Sequence, residues 1–120
     1  MRTDYPASAR LHRPSEYALA LKGKRIARGA LFVINTPRQP TPSSQDTARL
    51  GLIIPKRLAA KAVTRNTIKR VIREAFRLRR PHLAHKDLVF RLHSKVPELS
   101  LRQLRKQVRD EVDGLLQKVR

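Results

Sequence analysis

Apolar residues along this chain recur at two spacings, and each change of spacing marks an element. Tyr17, Ala20 and Leu21 stand at i, i+3, i+4, the period of a helix. Ser15 suits its N-cap, the helix runs to about Lys22, and Gly23 suits its C-cap. The run 30–35, Ala-Leu-Phe-Val-Ile-Asn, and the run 49–54, Arg-Leu-Gly-Leu-Ile-Ile, are short, apolar and β-branched, which predicts buried strands. Lys24 to Arg28 adds a possible strand before the first, and Pro55 stops the second. Between them Thr36 to Thr47 carries three prolines, two serines and no apolar cluster, the composition of a mobile loop. A long helix capped at Thr64 runs to about Arg80 and ends before Pro81. Asp87 to Leu92 predicts a further strand. Ser100 with Gln103 makes a capping box for a last helix. There Leu101, Leu104, Val108, Val112, Leu115 and Val119 keep helical spacing. The order is an α+β one, a small central sheet with helices packed on it. One domain spans 1–120, preceded within it by a flexible basic arm at 1–14.

The helix from Arg65 to Arg80 is two-faced. At about 100° per residue, Ile68, Val71, Ile72, Ala75 and Phe76 form one apolar stripe. Arg65, Asn66, Lys69, Arg70, Arg73 and Arg77 gather opposite. Like charges four residues apart weaken an isolated helix, so an anion opposite the stripe explains why the sequence tolerates them. Arg65 and Arg73 are accordingly expected to be removable with little loss of stability.

Composition sharpens this. The chain has 120 residues, 28 Lys and Arg against 9 Asp and Glu, a net charge of +19 and a pI near 11.8. From Lys56 to Arg80 ten residues are basic and only Glu74 is acidic. A clustered surplus of this kind is the footprint of a nucleic-acid binder. Guanidinium forks match phosphate oxygens, and lysines supply point charges. A solvated helix face is the bland alternative, but such faces alternate in sign and this one hardly does. No cysteine is present, which excludes disulfides and thiolate metal sites. Neither a membrane-spanning run nor a secretory leader is visible, so the cytosol is the expected compartment.

The nine acids form no metal-binding motif. Those at 110–113 read as intrahelical partners of Lys106 and Arg109. His12, His82, His85 and His93 read as surface loop histidines. No small-molecule substrate, bound cofactor or protein metal site is therefore expected, and the protein alone should not cleave RNA. On the residues alone Tyr17 and Phe32 fit a core as readily as a stacking platform.

Three stretches carry a family resemblance. They are Leu50-Gly51-Leu52-Ile53-Ile54-Pro55-Lys56-Arg57, Ala62-Val63-Thr64-Arg65-Asn66-Thr67-Ile68-Lys69-Arg70, and Ile72-Arg73-Glu74-Ala75-Phe76. Together they resemble the bacterial ribonuclease P protein subunit, over nearly the whole chain from Arg10 on. The resemblance implies an α-β-β-β-α-β-α sandwich with a left-handed βαβ crossover, an exception to the usual hand. It implies a protein that binds the catalytic RNA and the 5′ leader of precursor tRNA, with the RNA performing an Mg²⁺-assisted hydrolysis that removes the leader. By position, Lys56, Arg57, Lys61, Arg65, Asn66, Lys69, Arg70, Arg73 and Arg77 are expected to bind RNA. Tyr17, Leu21, Phe32, Ile34 and Phe90 are expected to line the leader cleft.

Some positions depart from the family pattern. Thr67 stands where an arginine is common, Leu21 where an aromatic is, Ile34 where a tyrosine is, Pro55 where a serine is and His93 where an arginine is. Two other classes share the size and charge. One is a structural ribosomal protein, which has no reason to carry the Arg-Asn-x-x-Lys-Arg string. The other is a basic DNA-binding protein, for which a helix-turn-helix would need a second helix where a strand stands.

Overall fold

Alternation within the strands decides the architecture. Phe32, Ile34, Leu50, Leu88, Phe90 and Leu92 share one parity and are buried together. Val33, Asn35, Arg49, Gly51, Asp87, Val89 and Arg91 share the other, so they line the opposite face. A sheet with apolar side chains on both faces needs cover on both, and helices supply it.

The computed structural model describes residues 10–11, 13–38, 48–83 and 87–119. Its elements are α1 (Pro14–Leu21), β1 (Lys24–Arg28), β2 (Phe32–Thr36), β3 (Arg49–Ile53), α2 (Ala62–Arg79), a 3-10 turn (Arg80–His82), β4 (Asp87–Leu92) and α3 (Leu101–Gln117). The strands lie in the order β1-β2-β4-β3. β1–β2 and β2–β4 pair antiparallel, whereas β3 and β4 pair parallel and are joined through α2. α2 and α3 cover the first face, where Ile68, Ile72, Phe76, Leu104, Val108 and Val112 meet the strand residues. α1 covers the second, where Ala20 and Tyr17 pack with Leu11, Val89 and Ile53. The expected element order therefore holds.

Several boundaries move for physical reasons. α1 starts at Pro14 rather than after Ser15. Proline is pre-set for the first helical position, and the Glu16 carboxylate accepts the Arg13 N–H at 3.1 Å. α2 starts at Ala62, so Thr64 lies inside its first turn and is not the cap. Thr36 belongs to β2, and the remaining loop from 39 to 47 lies outside the described residues. Of the expected arm, residues 1–9 and 12 also lie outside them. Its last part is not an arm: the Leu11 N–H donates to Leu50 O at 2.9 Å, and Leu11 is buried in the α1 face.

Gly23 is required for a different reason from the one expected. No described residue has a positive φ, so Gly23 is not there to form a left-handed cap. A Cβ at Gly23 would lie 2.0 Å from the Thr36 carbonyl oxygen, so glycine lets α1 turn into β1 against the end of β2. Gly51 plays a similar part on the α1 face, where a Cβ would meet the Tyr17 ring at 2.7 Å. Tyr17 thus lies directly on the backbone of β3.

Candidate nucleic-acid interface

α2 owes its position to four buried residues, Ile68, Ile72, Ala75 and Phe76, set at helical spacing. Burying that stripe turns Asn66, Arg70, Arg73 and Arg77 outward along one row, which spans about 16 Å at about 1.5 Å per residue. Asn66 and Arg70 are exposed; Lys69, Arg73 and Arg77 are half-exposed beside them. Lys56, Arg57 and Lys61 are exposed in the turn that leads into the helix. The structure therefore gathers the expected RNA-binding residues on one side of one element and its entry turn. Among the described residues, no carboxylate pairs with Lys56, Arg57, Lys61, Lys69, Arg70 or Arg73.

Two of the expected RNA-binding residues, Arg77 and Arg65, have other duties. Arg77 Nη2 lies 2.6 Å from Glu74 Oε1, and this hydrogen bond holds the Glu74 carboxyl below its usual range. Such an exposed pair adds only a few tenths of a kcal/mol. Arg65 Nη1 donates to Ala59 O at 2.9 Å and to Ala60 O at 2.8 Å. It closes the turn that carries Arg57 into the helix, so the expectation of a dispensable Arg65 needs correction. Arg65→Ala should lower stability by about 1–2 kcal/mol as well as RNA affinity, because two charge-assisted hydrogen bonds disappear. Arg65→Lys should recover part of the affinity but little of the melting temperature. Thermal unfolding with an RNA titration of each variant checks this, and an unchanged melting temperature for both would contradict it. Thr67 cannot stand in for a cation, since its Oγ1 donates to Val63 O at 2.7 Å.

The five residues expected to line one cleft are not brought together. Phe32, Ile34 and Phe90 are all 0% exposed and lie in the core beneath α2 and α3. Tyr17 lies across the sheet from them on the α1 face, and Leu21 is 40% exposed at the end of α1. Strand parity is the reason: a residue two positions from Phe32 repeats its face, and Ile34 does so. Val89 packs in the Tyr17 cluster instead, and Val33, Asn35 and Arg91 share that face of the sheet by parity. Asn35 Oδ1 and Arg91 Nε are buried there without a hydrogen-bond partner. An unsatisfied acceptor and donor on one face are costly in a folded chain. The alternation Phe-Val-Ile-Asn already contained this division.

Three structural groups escaped the sequence reading. Arg49 faces Asp87 across the parallel pair, with Nε to Oδ1 at 2.8 Å and Nη2 to Oδ2 at 2.6 Å, while Nη1 reaches Glu16 Oε2 at 2.7 Å. All three are buried, and the hydrogen bonds that Arg49 donates to Asp87 raise the Arg49 pKa further. Glu111 is not an intrahelical partner. Its carboxylate accepts the Phe32 N–H at 2.8 Å and the Leu31 N–H at 3.0 Å, tying α3 to the β1–β2 turn. Asp110 and Asp113 do pair within the helix, with Lys106 and Arg109 respectively. His93 lies in the connection after β4 as a loop residue, but it is half-buried, with Nε2 at 3.0 Å from Gly29 O. His82 is exposed, whereas His12 and His85 lie outside the described residues. Among the described residues no group of three or more His, Asp or Glu side chains is placed to hold a metal ion. No helix among them is long and apolar enough to cross a membrane.

The chain and its fold have counterparts among known proteins. The family model for ribonuclease P matches residues 5–119. The chain is 58% identical to the ribonuclease P protein component of Bordetella parapertussis, over 94% of this chain and 93% of that one. It is 40% identical to the ribonuclease P protein component of Aromatoleum aromaticum, over 92% of this chain and 87% of that one. The solved RNase P protein of Staphylococcus aureus superposes with a TM-score of 0.72 and 26% identity, over 91% of this chain and 93% of that one. A match over almost the entire length, with the described elements in the same order, leads to one conclusion: the chain belongs to the ribonuclease P protein component family.

Proposed function

We propose that this chain serves its endoribonuclease by holding two RNAs on two sides of one sheet. The outward row of α2, with Lys56, Arg57 and Lys61 at its entry, grips the phosphates of the catalytic RNA. The α1 face, with Tyr17, Asn35 and Arg91, receives the single-stranded leader of precursor tRNA. The single observation that supports this best is the row itself: six cations with no carboxylate partner among the described residues, on and before one helix with a buried back, in a protein of net charge +19. The buried Asn35 and Arg91 atoms support the second half, since a nucleotide edge satisfies both an acceptor and a donor.

The protein's part in leader removal is positioning and charge neutralisation. Bringing two polyanions together is opposed by their mutual repulsion, and fixed cations between them lower that cost. In this reading the RNA carries out the Mg²⁺-assisted hydrolysis, and the protein contributes binding and placement. Reconstitution with the partner RNA at low Mg²⁺ tests the whole reading. Precursor-tRNA cleavage should rise on addition of the protein, and the protein alone should give none. Asn35→Ala should raise KM for precursor with a leader while leaving affinity for the catalytic RNA unchanged. Equal loss on both RNAs, or turnover without RNA, would overturn the assignment.

A further inference from the structure

A groove lies where the connections that follow β3 and β4 leave the sheet. β3 and β4 are parallel neighbours, and each runs into a helix, β3 through residues 54–61 into α2 and β4 through 93–100 into α3. The two connections therefore leave the sheet side by side, outside the carboxyl ends of adjacent parallel strands. Here the connections are tied by the Val96 N–H donating to Leu58 O at 3.0 Å. They enclose a groove of about 480 Å³, within the range of small-ligand sites.

The lining has a definite chemistry. Arg57 and Lys61 come from the first connection and Lys95 from the second, against one acid, Glu98. Leu58, Val96 and Leu99 supply an apolar wall. The first turn of α2 opens beside them, and its N-cap, Lys61, makes no side-chain cap, whereas Ser100 and Gln103 cap α3. Cations in a notch with an apolar wall fit a nucleotide: phosphate on the charged edge, sugar and base on the wall. Lys61 also begins the helix that carries the outward row, so the groove continues that surface.

We infer that this groove is a second RNA subsite, which holds one nucleotide of the catalytic RNA with Lys95 as a phosphate contact. The inference rests on the RNA-binding reading above and adds to it a loop that the basic helix does not include. Its occupant is the catalytic RNA and not the leader, because the α1 face lies across the sheet.

The chain has no cysteine, so a single introduced one carries a unique probe. Full-length Lys95→Cys bearing a tethered iron chelate should cut the catalytic RNA within one short stretch when the complex is formed. Lys95→Ala should bind that RNA about tenfold more weakly, with a log–log salt slope shallower by about 0.7–0.9 and an unchanged melting temperature. Background-level cutting from position 95, together with strong cutting from Arg70→Cys, overturns the subsite while leaving the RNA-binding reading in place. Cutting confined to the leader of precursor tRNA also overturns it. Background-level cutting from both positions removes the subsite and the underlying reading together.

Discussion

Replacing Asp87 with alanine should cost the fold about 3–5 kcal/mol, because it leaves the Arg49 guanidinium buried without its main partner. Arg49 and Asp87 are 8% and 3% exposed, so water cannot take over the lost contacts. Glu16 would still hold one guanidinium nitrogen, which limits the loss but cannot cancel it. At this chain length the melting temperature should fall by at least about 10 °C. The loss should be nearly insensitive to salt, unlike RNA binding, since buried pairs are poorly screened. Exchanging Glu16, Arg49 and Asp87 together for apolar residues should recover much of it, as apolar replacement of a whole buried ion cluster often does. A calorimetric scan of the single and triple variants is decisive. A melting temperature within 2–3 °C of wild type for Asp87→Ala, about what ~0.5 kcal/mol would produce, would show that the cluster is incidental.

The second large effect concerns affinity rather than folding. Lys69→Ala, Arg70→Ala and Arg73→Ala combined should weaken binding to the catalytic RNA by about 10²–10³-fold at fixed salt. The log–log salt slope should become shallower by about 2–3, one contact of about 0.7–0.9 for each cation removed. None of the three has a carboxylate partner among the described residues, so the melting temperature should stay constant or rise slightly as repulsion along α2 falls. Filter binding across a salt series measures both quantities. A slope equal to that of the wild type would mean that the row faces solvent even in the complex.

Much of this was legible in the residues, and the parts that were not share a cause. Helical and strand periods report which side of an element is apolar, so α2, α3 and β4 were located closely from their own spacing. The capping box at Ser100 and Gln103 is likewise a local signal, and both of its hydrogen bonds are present at 3.1 Å. What spacing within one element cannot give is the partner on another. The parallel register that sets Arg49 against Asp87 joins residues 38 positions apart. The Glu111 bonds to Leu31 and Phe32 join residues about 80 apart. Arg65 is the instructive case: its position on the wheel placed it correctly among the cations, yet two carbonyls in the preceding turn claim its guanidinium. The cleft residues failed differently. Phe32, Ile34 and Phe90 were carried over by kind rather than by parity, and parity put Asn35 and Arg91 on the face in question.

The bonds from Glu111 have a consequence for biosynthesis. The amides of Leu31 and Phe32 find their acceptor in a residue made some eighty positions later. Until β4 leaves the ribosome β2 lacks its neighbour, and until α3 follows the tip of the first hairpin lacks its carboxylate anchor. This domain therefore closes only once β4 and α3 have both been made, and slowly for its size, as domains rich in distant contacts do. During that interval an unfinished and strongly cationic polypeptide emerges next to ribosomal RNA, so the timing of release governs whether it meets its proper polyanion or the nearest one.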